Sequence, residues 1–232
     1  MSTWAILPIF LSIWACSGIW IVYAMAVSNG SVNVTSDFPF ISTCGTYPPQ
    51  SCIFGQVLNI GALLAVWISA IRFQQIRDYG YHSTLNTVSL VMGLICALGT
   101  SLVGNFQQSN QLDTHLAGAF LAFFVGNIYF WTQSALTYMV KPSHGACFVG
   151  PLRFCLSLAC TALVIMMAVF FSRDMKSIAA ICEWIVAMVL FLLYGLFAVE
   201  FWHLDGHFFH VKKKTVIPNE MVASNVMLNM YQ

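Results

Sequence analysis

Long uninterrupted apolar stretches, rather than an alternating pattern, dominate the distribution of hydrophobic and polar positions along this chain. The first runs over residues 5–27 without a charged side chain. A helix that crosses a bilayer needs about 20 mostly apolar residues, because each advances the chain by about 1.5 Å through hydrocarbon about 30 Å thick. Six stretches meet this requirement, and we predict helices over about residues 5–27, 53–71, 85–104, 114–139, 153–172 and 177–201.

These stretches predict an all-α membrane protein, a six-transmembrane-helix bundle over residues 1–202 that is followed by a mobile cytosolic tail over residues 203–232. Inside hydrocarbon, only helices and closed barrels pair every backbone group, and a barrel would show short alternating segments. The first stretch is too long for a cleavable signal and lacks a basic start, so we expect it to remain as a span. Six crossings place both termini on one side.

The composition supports a lipid environment. Of 232 residues, 59% are apolar and 7% are charged, whereas about a quarter of the residues in a soluble domain are charged. A net charge of +1 gives no reason to expect nucleic acid as a partner. We expect membrane lipids as partners, together with membrane or cytosolic proteins that the composition does not specify.

The positive charges between the stretches predict which side faces the cytosol, because short loops rich in Lys and Arg stay there. One side has only Arg173 and Lys176. The other side has seven cations, which are Arg72, Arg77, Lys141, Arg153, Lys212, Lys213 and Lys214. We therefore predict cytosolic termini, with the three consecutive lysines contacting anionic lipids of the inner leaflet.

The loop after the first stretch has features of a luminal segment. Asn29 and Asn33 each begin an Asn-x-Ser/Thr pattern, which is glycosylated only on the luminal face. Cys44 and Cys52 lie in the same oxidising space, and we predict that they form a disulfide. Unoccupied sequons and two free thiols are the alternatives.

Ionisable residues inside an apolar stretch are costly and indicate function by default. Glu183 and Glu200 are 17 positions apart in the sequence, which is about 25 Å along a helix. They therefore lie near opposite ends of the last span. We predict that Glu200 pairs with Arg72 and that Glu183 meets His115 or Arg173, which favours structural pairing over a proton relay.

The hairpin between the third and fourth stretches concentrates polar residues at the luminal surface, among them Asn105, Gln107 and His115. We expect them to cap helix ends, with Asp113 or Thr114 as the N-cap of the fourth helix. The alternative is that they hold a lipid headgroup.

Small residues recur at intervals of four in three stretches, a pattern that allows helices to approach closely in lipid. The rows are Gly61, Ala65 and Ser69; Gly93, Ala97 and Ser101; and Gly118, Ala122 and Gly126. We interpret them as the packed interior of the bundle, and a homo-oligomer face is the alternative.

The chain has no sequence pattern typical of an enzyme site. It lacks a Gly-x-Ser-x-Gly elbow, a paired-Cys motif, a His-Glu-x-x-His motif and a phosphate-binding Gly loop. His203, His207 and His210 have a spacing that suggests a metal, but the surrounding aromatic residues favour a membrane-interface belt. We therefore predict no catalytic residues, no cofactor and no metal.

Several separated motifs resemble the damage-regulated autophagy modulator family, the DRAM/Frag/Sfk group. They lie at residues 18–23, 40–54, 103–107, 182–184 and 198–201, over nearly the whole chain. Residues 115–127 are most similar to the transmembrane-protein-one-fifty branch of that family. The resemblance implies a six-helix protein of plasma, endosomal, lysosomal or autophagosomal membranes that raises autophagic flux and favours survival under nutrient stress.

The leading interpretation is thus a non-enzymatic membrane regulator of macroautophagy. One alternative is a scaffold that recruits a phosphoinositide kinase to the plasma membrane, suggested by the basic tail and by wider family members. Another is a channel or channel-modulating subunit, although the sequence lacks a filter, a ring of midplane acids and an Arg-rich helix. A lipid-modifying enzyme would require His115 as its base, beside Asp113 or Glu183.

Overall fold

The computed structural model describes residues 2–140 and 145–204, and all regular structure in these ranges is helical. Six of the helices are long and apolar enough to cross a membrane. The predicted all-α bundle of six spans is therefore confirmed.

The first three spans are nearly continuous α-helices. The first is a 3-10 turn, Thr3–Ala5, continued by Ile6–Ser28. A short helix, Ile41–Cys44, lies in the loop before the second span, Gln50–Asp78. The third span is Thr84–Asn105, and the Ser83 hydroxyl caps its start by accepting from the backbone N–H of Leu85.

The last three spans include two irregular helices. The fourth consists of Leu112–Phe120, a π-helical turn at Leu121–Val125, and Gly126–Met139. The fifth is Ala146–Ser172. The sixth is Lys176–Gly195, continued by Phe197–Phe201.

The six spans form a closed ring, because each packs against its neighbours in the chain and the sixth returns to the first. The Ser2 N–H donates to the Trp202 carbonyl across 3.1 Å, which places both described chain ends together. We call this the terminal end of the bundle. The opposite end, with residues 29–49 and the 106–111 hairpin, is the loop end.

Aromatic side chains fill the centre of the ring and join the fourth span to the sixth. Tyr129 and Phe130 meet Tyr194 and Phe197, and all four are buried. The rings of Phe130 and Tyr194 contact edge to face with centroids 4.9 Å apart, an arrangement that aromatic quadrupoles favour.

Glycines bring the backbones of neighbouring spans into contact. A Cβ atom on Gly99 would lie 2.7 Å from the Gly118 carbonyl oxygen, and one on Gly55 would lie 2.9 Å from the Gly104 carbonyl oxygen. Gly93 lies against Ser69, so two of the predicted small-residue rows meet inside the bundle. Gly61 has open space beside it instead.

The fifth span is packed at only one of its ends. Its buried side chains stop at Cys160, and every residue from 161 to 172 is partly or fully exposed. The second half of the fourth span contacts the fifth, whereas the first half packs mainly on the third. The two spans therefore separate toward the loop end.

Two helices extend past charged residues that the apolar pattern had placed at their ends. The second continues beyond residue 71 to Asp78, and the fifth begins seven residues before Arg153. Both extensions place an arginine inside the bundle, where it pairs with the carboxylate of Glu200.

Candidate functional site

A buried cluster of charged residues lies near the terminal end. Glu200 Oε1 is 2.7 Å from Arg72 Nη2, and Glu200 Oε2 is 2.6 Å from Arg153 Nη2. The three side chains are at most 4% exposed. The predicted contact between Glu200 and Arg72 is thus present, and it is joined by a second arginine.

The role of Arg153 was missed by the sequence analysis, which counted it as a loop cation. The apolar run resumes only after it, and Pro151 just before it resembles a boundary. In the structure the fifth helix begins before Pro151. Arg153 therefore belongs to the helix, and its side chain is fully buried in the bundle. An arginine directly before a long apolar run was the available signal.

Neutral polar side chains complete the cluster. Arg72 donates through Nη1 to Gln75 Oε1 at 2.7 Å and through Nε to Gln133 Oε1 at 3.3 Å. Gln75 Nε2 in turn donates to the Glu200 backbone carbonyl at 2.7 Å. The Arg153 guanidinium lies 4.7 Å from the centre of the Phe197 ring. The cluster therefore ties the second, fourth, fifth and sixth spans together.

The chemistry of this cluster favours structural pairing. Both oxygens of Glu200 accept hydrogen bonds from guanidinium groups, which leaves no free carboxylate oxygen for proton transfer. Two cations and one anion leave an excess positive charge inside the bundle. A buried cluster of charged side chains persists in a membrane only when its members are well paired and hydrogen-bonded.

A second polar group lies at the loop end. Glu183 Oε2 accepts from the backbone N–H of Ile41 at 2.8 Å, and the residue is 8% exposed. The predicted pairing of Glu183 with His115 or Arg173 is wrong in the described structure. The short helix Ile41–Cys44 lies over the sixth span and supplies the partner that the sequence did not reveal.

His115 is held by the hairpin rather than by an acid. Its Nδ1 lies 2.8 Å from the Phe106 carbonyl oxygen, which can only accept, so Nδ1 is protonated. In the neutral ring, Nε2 is then an acceptor. The fourth helix begins at Leu112 after Gln111 and without a side-chain cap, so the predicted capping by Asp113 or Thr114 is wrong.

Glu183 and His115 line a cavity with two chambers. The inner chamber, about 110 Å³, lies among the first, second, third, fourth and sixth spans. The outer chamber, about 300 Å³, lies between the fourth and fifth spans, where they separate. Both are lined by Ser42, His115, Ala119, Phe123 and Glu183. The π-helical turn supplies Phe123, and such turns are frequent at functional sites.

Asn105 and Gln107 make local bonds beside this cavity. The Asn105 and Asn59 side chains exchange amide hydrogen bonds of 3.0 Å, which join the third span to the second. Gln107 Oε1 accepts from Asn110 Nδ2 at 3.2 Å within the hairpin. Asn59 lies in an apolar run with no charge to mark it and was not predicted.

The predicted disulfide is not formed in the structure. Cys44 and Cys52 are both free thiols. Cys44 is 1% exposed and packs in a core cluster with Ile41 and Phe54, whereas Cys52 is exposed on the second span. Burial and the nearby negative charge of Glu183 raise the pKa of the Cys44 thiol to about 12.

The two sequon asparagines are exposed but have different surroundings. Asn29 Nδ2 donates to Gln50 Oε1 at 2.8 Å, and Gln50 is fully buried. Asn33 accepts from Thr35 through its side-chain oxygen in a local turn. The cationic residues Lys212, Lys213 and Lys214, like His207 and His210, lie outside the described residues.

The chain is similar to several known proteins. A family model described as the Frag1/DRAM/Sfk1/Cwh43P N-terminal domain matches residues 3–204. The chain is 76% identical to the modulator of macroautophagy TMEM150B of Xenopus tropicalis over 99% of its own length and all of the relative's. It is also 53% identical to TMEM150B of Homo sapiens, over 87% of each protein. No solved structure matches it.

Proposed function

Because the chain belongs to the Frag1/DRAM/Sfk1/Cwh43P family, we propose that it is a non-enzymatic, multi-pass membrane modulator of macroautophagy. In this role it raises autophagosome formation or flux and favours survival under nutrient stress. The observation that supports this most strongly is 76% identity, over 99% of this chain and all of the relative, to a protein named for modulating macroautophagy. That name favours this role over a kinase scaffold or a channel subunit.

The buried cluster supports the non-enzymatic part of this proposal. Glu200 pairs with both Arg72 and Arg153, and the cluster joins four spans, so these charges serve to hold the bundle in one arrangement. A protein that acts by presenting a fixed membrane surface to partners needs this rigidity and no reacting group.

The proposed orientation places the terminal end in the cytosol and the loop end in the lumen of endosomes, lysosomes or autophagosomes, or outside the plasma membrane. The distribution of Lys and Arg supports it. So do the sequons at Asn29 and Asn33, both of which lie at the loop end. Lys212, Lys213 and Lys214 would then face the anionic inner leaflet.

Autophagic flux in starved cells tests the proposed role. Cells that lack the protein should accumulate less lipidated autophagosome marker during a lysosomal block than parental cells. Re-expression of the full chain is the control and should restore the accumulation. Unchanged flux after deletion would refute the proposal.

Epitope tags test the orientation separately. A tag after Gln232 should be stained at the plasma membrane only after permeabilisation, whereas a tag inserted beside Asn33 should be stained on intact cells. The reverse pattern would place the terminal end outside the cytosol and contradict the proposed arrangement.

A further inference from the structure

The cavity at the loop end opens sideways between two spans. Its outer chamber is lined by Leu116, Phe120 and Phe124 of the fourth span, all more than 40% exposed. The fifth span contributes Val164, Met167, Ala168 and Phe171. Because these residues belong to membrane-crossing helices, the opening faces lipid rather than water.

The polar groups of the cavity lie at one end of it and have bonding capacity left. Glu183 accepts from the backbone N–H of Ile41 through Oε2, and His115 donates to the Phe106 carbonyl through Nδ1. Ser42 donates to Gln108 Oε1 at 2.7 Å, which leaves the Gln108 amide N–H group as a donor. The second oxygen of Glu183, Nε2 of His115 and the Gln108 amide thus provide two acceptors and one donor.

The charge of this polar end selects against most membrane lipids. Among the described residues that line the two chambers, Glu183 is the one acidic residue and none is Lys or Arg. A phosphate headgroup would meet a buried carboxylate without a cation to offset it. An uncharged hydroxyl can donate to one of these acceptors and accept from the Gln108 amide at the same time.

The length of the outer chamber restricts the apolar part of the ligand. On the fourth span its lining runs from His115 to Phe124, nine positions, or about 13 Å along a helix. Half the hydrocarbon of a bilayer is about 15 Å thick. The chamber therefore suits a short, compact body within one leaflet better than the two full acyl chains of a glycerolipid.

We propose that the outer chamber binds a sterol from the leaflet at the loop end, which enters between the fourth and fifth spans. The sterol hydroxyl donates to the second oxygen of Glu183 and accepts from the Gln108 amide. Its ring system lies along Ala119 and Phe123, among the aromatic side chains of the two spans. This inference is independent of the role in macroautophagy, because it concerns binding alone.

Photolabelling of the purified full chain in nanodiscs tests this site. A photoactivatable sterol should label peptides from the fourth and fifth spans, and unlabelled sterol should compete. Photoactivatable diacylglycerol and phosphatidylcholine, used at the same mole fraction, should label these peptides at most a tenth as strongly. Equal or stronger labelling by diacylglycerol would overturn the assignment to a sterol.

Two variants test the geometry. Ala119→Trp places a large side chain in both chambers and should abolish labelling, whereas Ala117→Trp, at an exposed neighbouring position that lines neither chamber, should leave it unchanged. Glu183→Gln still accepts from Ile41 but loses the second acceptor, so labelling should fall about tenfold.

Each variant should show the melting temperature of the unaltered chain, measured without sterol, before its labelling is compared. Competition by the 3-methyl ether of the sterol, which has no hydroxyl to donate, should be about tenfold weaker than competition by the sterol itself. Undiminished labelling in Ala119→Trp, or equal competition by the ether, would refute the proposed site.

Discussion

At the scale of residues, the stability of this protein depends on how a few polar side chains are neutralised. Glu200 is bonded to two arginines, and each of the three side chains is buried. Removing one member of a buried ion pair destabilises a bundle far more than replacing both members with apolar residues does. The excess positive charge of the cluster makes its one acid the critical member.

Glu200→Gln should destabilise the bundle more than Arg153→Gln. The first change leaves two buried arginines without an anion and should lower the free energy of unfolding by about 3–5 kcal/mol. The second leaves one pair, Arg72 with Glu200, whose charges balance. Thermal unfolding in detergent micelles measures the difference, with Arg173→Gln, at an exposed position, as the control. A larger loss for Arg153→Gln would contradict this account.

The thiols of Cys44 and Cys52 should differ greatly in their rates of alkylation. With a pKa of about 12, about one Cys44 thiol in ten thousand is ionised at pH 8, and only the thiolate reacts. Cys52 is exposed and should react first. Peptide mapping after timed alkylation of the unreduced protein measures both rates. If neither residue reacted until a reductant was added, the two cysteines would form a disulfide, which would contradict the free thiols of the structure.

At the scale of helices, the apolar pattern predicted the number of spans and the approximate position of each, because burial in hydrocarbon requires length and apolarity alone. It did not predict where the fifth helix begins, since Arg153 is acceptable inside a span only through its contact with Glu200. The same holds for Glu183, whose partner is a backbone N–H of a four-residue helix. Such contacts depend on tertiary packing, which periodicity does not encode.

Gly99→Ala and Gly61→Ala should change stability in opposite directions. A Cβ atom at Gly99 would lie 2.7 Å from the Gly118 carbonyl oxygen and so would push the third and fourth spans apart, at about 1–3 kcal/mol. A Cβ atom at Gly61 meets no atom within 4 Å, and alanine favours a helix by about 1 kcal/mol. Thermal unfolding of both variants checks this. Destabilisation by Gly61→Ala equal to that by Gly99→Ala would show that the backbone contact is unimportant.

At the scale of the whole molecule, the two ends of the bundle are built differently. Near the terminal end, the charged cluster links four spans around buried side chains. At the loop end, the fourth and fifth spans enclose a cavity, and the residues of the fifth span after Cys160 have no buried side chain. The fixed end and the open end lie on opposite sides of the same membrane, so movement should be concentrated in one leaflet.

Amide hydrogen exchange should therefore be uneven along the fifth helix. Both halves are regular α-helix, apart from the one hydrogen bond that Pro151 cannot donate, but local opening is easier where few apolar contacts hold the helix to its neighbours. We expect residues 161–172 to exchange at least several-fold faster than residues 149–160, measured by mass spectrometry in detergent micelles. The sixth span is the internal control, because buried side chains recur along its whole length, from Ala179 to Phe201, and should protect both of its halves. Uniform exchange along the fifth helix would mean that its half beside the opening is as stable as its half beside the charged cluster.

Arg153→Gln should raise amide exchange in residues 149–160 and so reduce the contrast between the two halves, since Arg153 holds that half to Glu200.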